Sequence, residues 1–66
     1  MKTMPSELAA VFKADNIALE AFEEMTASHQ REYIRYVNEA KKPETRAKRA
    51  VESAMMCREW AAKQKK

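Results

Sequence analysis

The fold is decided by residues 28–49, which read SHQREYIRYVNEAKKPETRAKR. Lys42 precedes Pro43, and a proline pushes the residue before it out of the α-helical region. Pro43 itself suits the first position of a new helix, where its missing N–H removes no hydrogen bond. Glu44 then places a negative charge at the positive end of that helix. This stretch therefore predicts that one helix ends and another begins here. The two helices are expected at about residues 27–41 and 43–63.

The first half of the chain predicts two shorter helices. Pro5 fits the first turn of the first helix. Asp15 or Asn16 ends that helix and caps the next one, and Thr26 is the expected cap of the third. Because the chain has no glycine and is rich in strong helix formers, strands joined by tight turns are not expected. The two helices are expected at about residues 5–14 and 16–25.

The prediction is an all-α protein, a small bundle of four helices in a single domain of residues 1–66. Large apolar side chains are few, and a core of this size offsets the entropy of chain ordering only narrowly. A homodimer or a bound partner would therefore stabilise the fold. Helical periodicity assigns an inward stripe to each helix. These stripes are Leu8, Val11 and Phe12; Ile17, Ala21, Phe22 and Met25; Tyr33, Ile34, Val37 and Ala40; and Ala47, Ala50, Val51, Ala54, Cys57 and Ala61.

The charge of the chain is unevenly distributed. Residues 1–28 carry a net charge of −3, whereas residues 29–66, which include a basic tail at 63–66, carry +6. A basic surface can meet nucleic acid, an acidic protein or anionic lipid. The lone cysteine, Cys57, allows no internal disulfide, and no signal peptide or membrane-spanning stretch is visible. We therefore expect a cytoplasmic protein without membrane insertion.

The sequence contains no recognisable catalytic centre. Ser28 and His29 are adjacent, whereas nucleophile activation requires a base that the fold brings over the serine. Without glycine there is no phosphate-binding loop. One cysteine and one histidine are too few for a zinc site. We expect no enzyme activity, no metal site and no cofactor.

The large residues near the end of the last helix allow two interpretations. Met56 and Trp60 share a stripe, but Met55 lies about 100° from Met56 around the helix. In the first interpretation all three side chains close the end of a small core. In the second, Met56 and Trp60 contact a partner or a second copy of the chain.

Residues 28–49 also resemble a bacterial family, the bacteriocin-protection, YdeI or OmpD-associated family (the OmdA domain). The similarity lies in a serine-histidine-x-arginine-glutamate-tyrosine start, an aromatic residue one turn later, and an alanine-lysine-x-proline-glutamate-threonine-arginine segment followed by a further arginine. With the lead-in AFEEMTAS, it spans roughly residues 8–58. The motif positions are Ser28, His29, Arg31, Glu32, Tyr33, Tyr36, Ala40, Lys41, Pro43, Glu44, Thr45, Arg46 and Arg49.

The resemblance implies a helical domain, association with an outer-membrane porin, and protection against bacteriocins or antimicrobial peptides. It also implies larger aliphatic residues where this chain has Ala50 and Ala54. Two small residues at these positions favour self-association through the last helix.

The motif supports two physical interpretations. In the first it is a scaffold, in which Glu32 and Glu44 lie near arginines of the neighbouring helix and Tyr33 buries its ring. The scaffold residues are then Glu32, Tyr33, Tyr36, Pro43 and Glu44. In the second it is an anion-binding site near a helix start. The binding residues are then Arg31, Lys41, Thr45, Arg46 and Arg49.

These observations predict a small, non-catalytic interaction module with an unknown protein or peptide partner, which the resemblance links to protection against bacteriocins. The alternative is nucleic-acid binding by the basic face of the third and fourth helices. Arg31 and Arg35 lie one turn apart on the third helix, and Arg46 and Arg49 share a face of the fourth. Interleaved glutamates such as Glu44 weaken this basic field.

Overall fold

The computed structural model describes residues 4–64, which form four α-helices and no strand. The helices are α1 (Ser6–Ala14), α2 (Asn16–Glu24), α3 (Ala27–Asn38) and α4 (Pro43–Gln64). The predicted all-α bundle is confirmed. α4 is the longest helix and packs against each of the other three. None of the helices in the described part of the chain has the length and apolar character needed to span a bilayer.

Side-chain caps separate the first three helices. The carboxylate of Asp15 accepts a hydrogen bond from the backbone N–H of Ala18 at 3.2 Å, and Oγ1 of Thr26 accepts one from the backbone N–H of His29 at 3.2 Å. Both are N-caps of the expected kind, since each satisfies a backbone donor that the first turn leaves without a partner. Pro5 lies just outside α1 as its N-cap residue, not within its first turn as predicted.

The connection between α3 and α4 is longer than the sequence predicted. α3 ends at Asn38, not at residue 41, and α4 begins at Pro43 as expected. The last carbonyls of a helix have no partner within it. Here the guanidinium of Arg46 reaches back from α4 and donates to the carbonyl oxygens of Asn38 at 3.3 Å and Ala40 at 3.2 Å. These hydrogen bonds give partners to carbonyls at the end of α3 and in the connection that follows it.

The core lies where α1 and α2 pack against α4. Its largest members include Phe12 and Phe22, whose ring centroids are 4.9 Å apart. The two rings share one buried cluster with Ala50 and Ala54 of α4, so large residues on one side meet small residues on the other. The two alanines are therefore covered by this chain's own helices, and they do not supply the argument for self-association that the sequence suggested. The other buried members of the cluster are Leu8, Ala18, Ala21, Met25, Val37 and Cys57.

Three residues assigned to inward stripes are exposed, namely Ile17, Ala47 and Val51. Ile17 and Val51 each adjoin a buried alanine in sequence, and one residue corresponds to about 100° around a helix. The predicted stripes are wrong at these positions. Ser53 is buried instead, and its hydroxyl donates to the carbonyl of Arg49 one turn earlier at 2.8 Å.

Candidate functional site

Arg46, a predicted anion-binding residue, is held by this chain's own acceptors. Its Nε donates to Oε2 of Glu7 in α1 at 3.2 Å, and its second terminal nitrogen donates to Oδ1 of Asn38 at 3.1 Å. With the two carbonyl contacts at the end of α3, the guanidinium joins α1, α3 and α4. Arg46 therefore stabilises the connection between α3 and α4, and few of its N–H donors remain for an external anion.

Arg49 is also bound within the chain. Its terminal nitrogen donates to the carbonyl of Tyr36 at 2.9 Å, and its guanidinium carbon lies 4.7 Å from the centroid of the Tyr36 ring, which is cation–π geometry. The Tyr36 hydroxyl in turn donates to Oε1 of Glu52 at 2.7 Å. This hydrogen bond to a carboxylate raises the pKa of Tyr36, since ionising the phenol would remove the donor.

The other predicted anion-binding residues do not complete a common site with these two arginines. Arg31 and Lys41 are exposed, and Thr45 is half-buried. Arg31 lies on the outer surface of α3, where it lines an open cavity of about 500 Å³ together with Ser28 and Arg35. Arg46 and Arg49 are thus bound within the chain, whereas Arg31 and Lys41 lie on the open surface.

The predicted pairing of Glu32 and Glu44 with arginines is not formed. Within residues 4–64 the ion pairs join Arg46 to Glu7 and Arg58 to Asp15, the latter through two hydrogen bonds of 2.7 and 2.9 Å. Hydrogen bonding to Arg58 and to the α2 backbone lowers the pKa of Asp15. For Glu7 the pKa is lowered first by its own backbone N–H and then by Arg46. The ion pairs that join the helices within the described residues therefore use carboxylates of the first half of the chain.

A surface groove lies between α3 and α4, and its lining residues come from these two helices. It consists of two adjoining cavities of about 280 and 260 Å³ that share Tyr36 and Met56. We call this surface the α3–α4 groove. Its lining residues are His29, Glu32, Tyr33, Tyr36, Glu52, Met55, Met56 and Glu59.

The apolar part of the groove combines exposed methionines with packed aromatic rings. Met55 is 57% exposed and Met56 40% exposed, so these methionines do not close the core. Trp60 is partly buried and packs against the core cluster. The ring of His29 stacks on Tyr33 at 5.3 Å and meets Trp60 edge-on at 6.4 Å. Two exposed methionines, whose unbranched side chains can adapt in shape, thus lie near a group of packed aromatic rings.

The groove differs in charge from the surface around it. Its lining includes the carboxylates of Glu32, Glu52 and Glu59 and no lysine or arginine, although residues 29–66 carry a net charge of +6. The sequence interpretation named Glu32, Tyr33, Tyr36 and Met56 for other reasons. It considered Glu52 only as one of the glutamates that weaken the basic field, and it did not name Glu59. The signal was present, because residues 52, 55, 56 and 59 recur at the spacing of one helix face.

Comparison with known proteins identifies the family. The family model described as bacteriocin-protection, YdeI or OmpD-associated (OmdA) matches residues 2–59. The chain belongs to the OmdA family. The match contains α1, α2 and α3 in full and extends into α4 through the whole groove, so the predicted resemblance is confirmed. Searches of curated proteins and of solved structures each found no match. Membership of the OmdA family suggests a role related to bacteriocin protection.

The side chains of this OmdA protein that were considered as nucleophiles or metal ligands are those of Ser28, His29 and Cys57. Burial raises the pKa of the Cys57 thiol to about 11, which keeps it protonated. The ring of His29 stacks on Tyr33, and the neighbouring Ser28 lines the cavity on the outer surface of α3. Among residues 4–64 no three histidine, cysteine or acidic residues lie close enough to hold a metal ion.

Proposed function

We propose that the protein is a non-catalytic binding module that engages a protein or peptide through the α3–α4 groove, in the setting of bacteriocin protection that its family suggests. The observation that carries this proposal is the exposure of Met55 and Met56 side by side on α4. They lie on the same helix whose buried positions are alanine, serine and cysteine.

The placement of the two methionines is costly for so small a chain. Burying a methionine side chain stabilises a protein by about 1.5–3 kcal/mol relative to leaving it exposed. A chain of 66 residues has only a small core from which to draw stability. A partner that covers both side chains recovers this free energy on binding. Methionine also adapts its shape to different partners, which suits a recognition surface.

The rest of the groove is organised before any partner arrives. The His29 ring is held between Tyr33 and Trp60, and the Tyr36 hydroxyl is held by Glu52. Side chains that are already ordered lose little entropy on binding, so more of the contact energy appears as affinity. These contacts also support the scaffold interpretation of the family motif, since Tyr33 and Tyr36 both hold neighbouring side chains and line the groove.

The alternative of nucleic-acid binding has less support. Arg46 and Arg49 were its central residues on α4, and the guanidinium groups of both are engaged by acceptors of this chain. A nucleic acid would have to be held mainly by exposed residues such as Arg31 and Arg35 on the outer surface of α3. The basic surface left for phosphate contacts then lacks the two arginines of α4 on which this alternative was based.

A bacteriocin survival assay tests the proposed function. A sensitive bacterial strain expressing the wild-type chain should survive bacteriocin better than the same strain without it. The double substitution Met55→Glu and Met56→Glu should abolish this gain, since two charges would disrupt the apolar part of the groove. Val51→Glu is the matched control, because Val51 is an exposed apolar residue of α4 outside the groove. Circular dichroism should show that all three proteins are folded.

Two results would overturn the proposal. Equal protection by the double variant and the wild type would remove the groove from the function. Binding to labelled duplex DNA, measured by fluorescence anisotropy, would establish the alternative if it persisted at physiological salt and were lost on Arg31→Ala with Arg35→Ala.

A further inference from the structure

We infer that the segment bound by the α3–α4 groove is a short basic amphipathic helix, an inference that rests on the function proposed above. The first observation is the local charge. Three carboxylates line the groove without a lysine or arginine among them. At physiological ionic strength charges are screened beyond about 8 Å. Among the closer charges, the guanidinium of Arg49 is engaged by the carbonyl and the ring of Tyr36. A segment lying in the groove therefore meets the glutamates first, and they favour a cationic partner.

The second observation is the spacing of these groups along α4. Glu52 and Glu59 are seven residues apart, which corresponds to about 10 Å or two helical turns. Met55 and Met56 lie between them. A partner helix lying along α4 would match this pattern with apolar residues at a spacing of three or four and a basic residue at either end. An extended strand would alternate its side chains between two faces and match it poorly.

The third observation concerns Glu52. Its Oε1 already accepts the hydrogen bond from the Tyr36 hydroxyl at 2.7 Å, which holds the carboxylate at the edge of the groove. A carboxylate accepts about four hydrogen bonds, so Glu52 retains the capacity to bind a lysine or arginine. It is therefore an oriented acceptor, and its position is set before binding.

The basic residues nearest the groove limit the length of the partner's charged segment. On the same face of α4, Lys48 lies one turn before Glu52 and Lys63 one turn after Glu59. Arg49, which follows Lys48 in the sequence, lies over the Tyr36 ring. A partner with basic residues beyond the two central turns would meet these cations. The groove thus favours a basic helix with its charges concentrated over two turns.

Designed peptides test this inference directly. The probe is a helical peptide without tryptophan that carries leucines on one face and two lysines seven residues apart at the edge of that face. Two matched peptides carry glutamine or glutamate in place of the lysines. Trp60 is the single tryptophan of the chain and contacts His29 at the groove, so its fluorescence reports binding.

The lysine peptide should bind more tightly than the other two, and its affinity should fall with added salt. Exposed ion pairs are individually weak, so Glu52→Gln with Glu59→Gln should raise the Kd for this peptide by about 2- to 30-fold. The control is Glu20→Gln with Glu44→Gln, two exposed glutamates outside the groove, and should leave the Kd unchanged.

The inference and the proposed function fail in different ways. If the glutamine or glutamate peptide binds as tightly as the lysine peptide and Met55→Glu with Met56→Glu abolishes binding, the basic partner is overturned and the groove remains a binding site. If no peptide binds, the helical basic partner is overturned, and the survival assay still decides the proposed function. If sedimentation equilibrium shows a dimer that Met55→Glu with Met56→Glu dissociates, a second copy occupies the groove instead.

Discussion

Replacing Ala54 with leucine is expected to destabilise the protein, because the small side chain at this position is matched by large ones opposite it. Ala54 is 3% exposed and belongs to the buried cluster that contains Phe12 and Phe22. The family resemblance alone would predict the opposite effect, since it implies a larger aliphatic residue here. The stability of Ala54→Leu therefore distinguishes an expectation based on the family resemblance from one based on packing in this structure.

The expected loss follows from the cost of overpacking. Inserting extra methylene groups into a packed core costs about 1–3 kcal/mol. Domains are stable by about 0.05–0.15 kcal/mol per residue, so a chain of this length has roughly 3–10 kcal/mol in total. For a small domain, 1 kcal/mol lowers the melting temperature by about 4–8 °C. Ala54→Leu should therefore lower it by roughly 4–24 °C.

Thermal and urea denaturation followed by circular dichroism at helical wavelengths measure this loss. Ala62→Leu is the matched control, because Ala62 is exposed on the same helix and alanine and leucine have similar helix propensities. Its stability should stay within about 0.5 kcal/mol of the wild type. An Ala54→Leu protein as stable as the wild type would refute the packing argument.

Other consequences concern polar and titratable groups. Asp15→Ala removes both the α2 cap and the ion pair with Arg58, so thermal denaturation should show a larger loss than for Asp15→Asn, which keeps a capping oxygen. Because the pKa of Asp15 is lowered in the folded state, its contribution to stability is present above the unfolded pKa and is lost as pH falls through the folded one. Melting temperatures between neutral and acidic pH should consequently decline less in Asp15→Asn than in the wild type, and an identical decline would contradict the assigned pair. Burial of Cys57 predicts slow reaction of its thiol with a disulfide reagent in buffer and fast reaction in urea; equal rates would show that the thiol is accessible. Ser53→Ala should leave the melting temperature unchanged or slightly higher, because the hydroxyl bonds only the Arg49 carbonyl within the same helix and alanine is the better helix former; a loss as large as that of Ala54→Leu would contradict this.

The helix starts were predictable because their causes are local. Asp15 and Thr26 cap helices through a backbone N–H three residues away, and Pro43 begins α4 through its own ring geometry. The end of α3 was less predictable. It depends on Arg46, which satisfies carbonyls of the preceding helix from the far side of the turn.

The faces of the helices were only partly predictable. Periodicity correctly placed Leu8, Phe12 and Val37 inside. It placed Val51 inside as well and overlooked Ser53. On an alanine-rich helix such as α4, several stripes have a similar apolar character. The choice among them was made by the helices that pack against it.

The candidate site was likewise only partly predictable from the sequence. The residues of the family motif, and Met56 with Trp60, were recognisable from the sequence as important. The groove itself was not, because Tyr36 and Glu52 are brought together only when α3 lies beside α4.

The sequence by itself determined that this protein is helical, where three of its four helices begin, and to which family it belongs. Only the tertiary structure decided that Arg46 and Arg49 serve the fold, and that two methionines and three carboxylates share one open groove. The physical reason is the range of the interactions. Capping and backbone propensity act within one turn of the chain, whereas the partner of an arginine and the exposure of a methionine depend on which distant segment packs beside them.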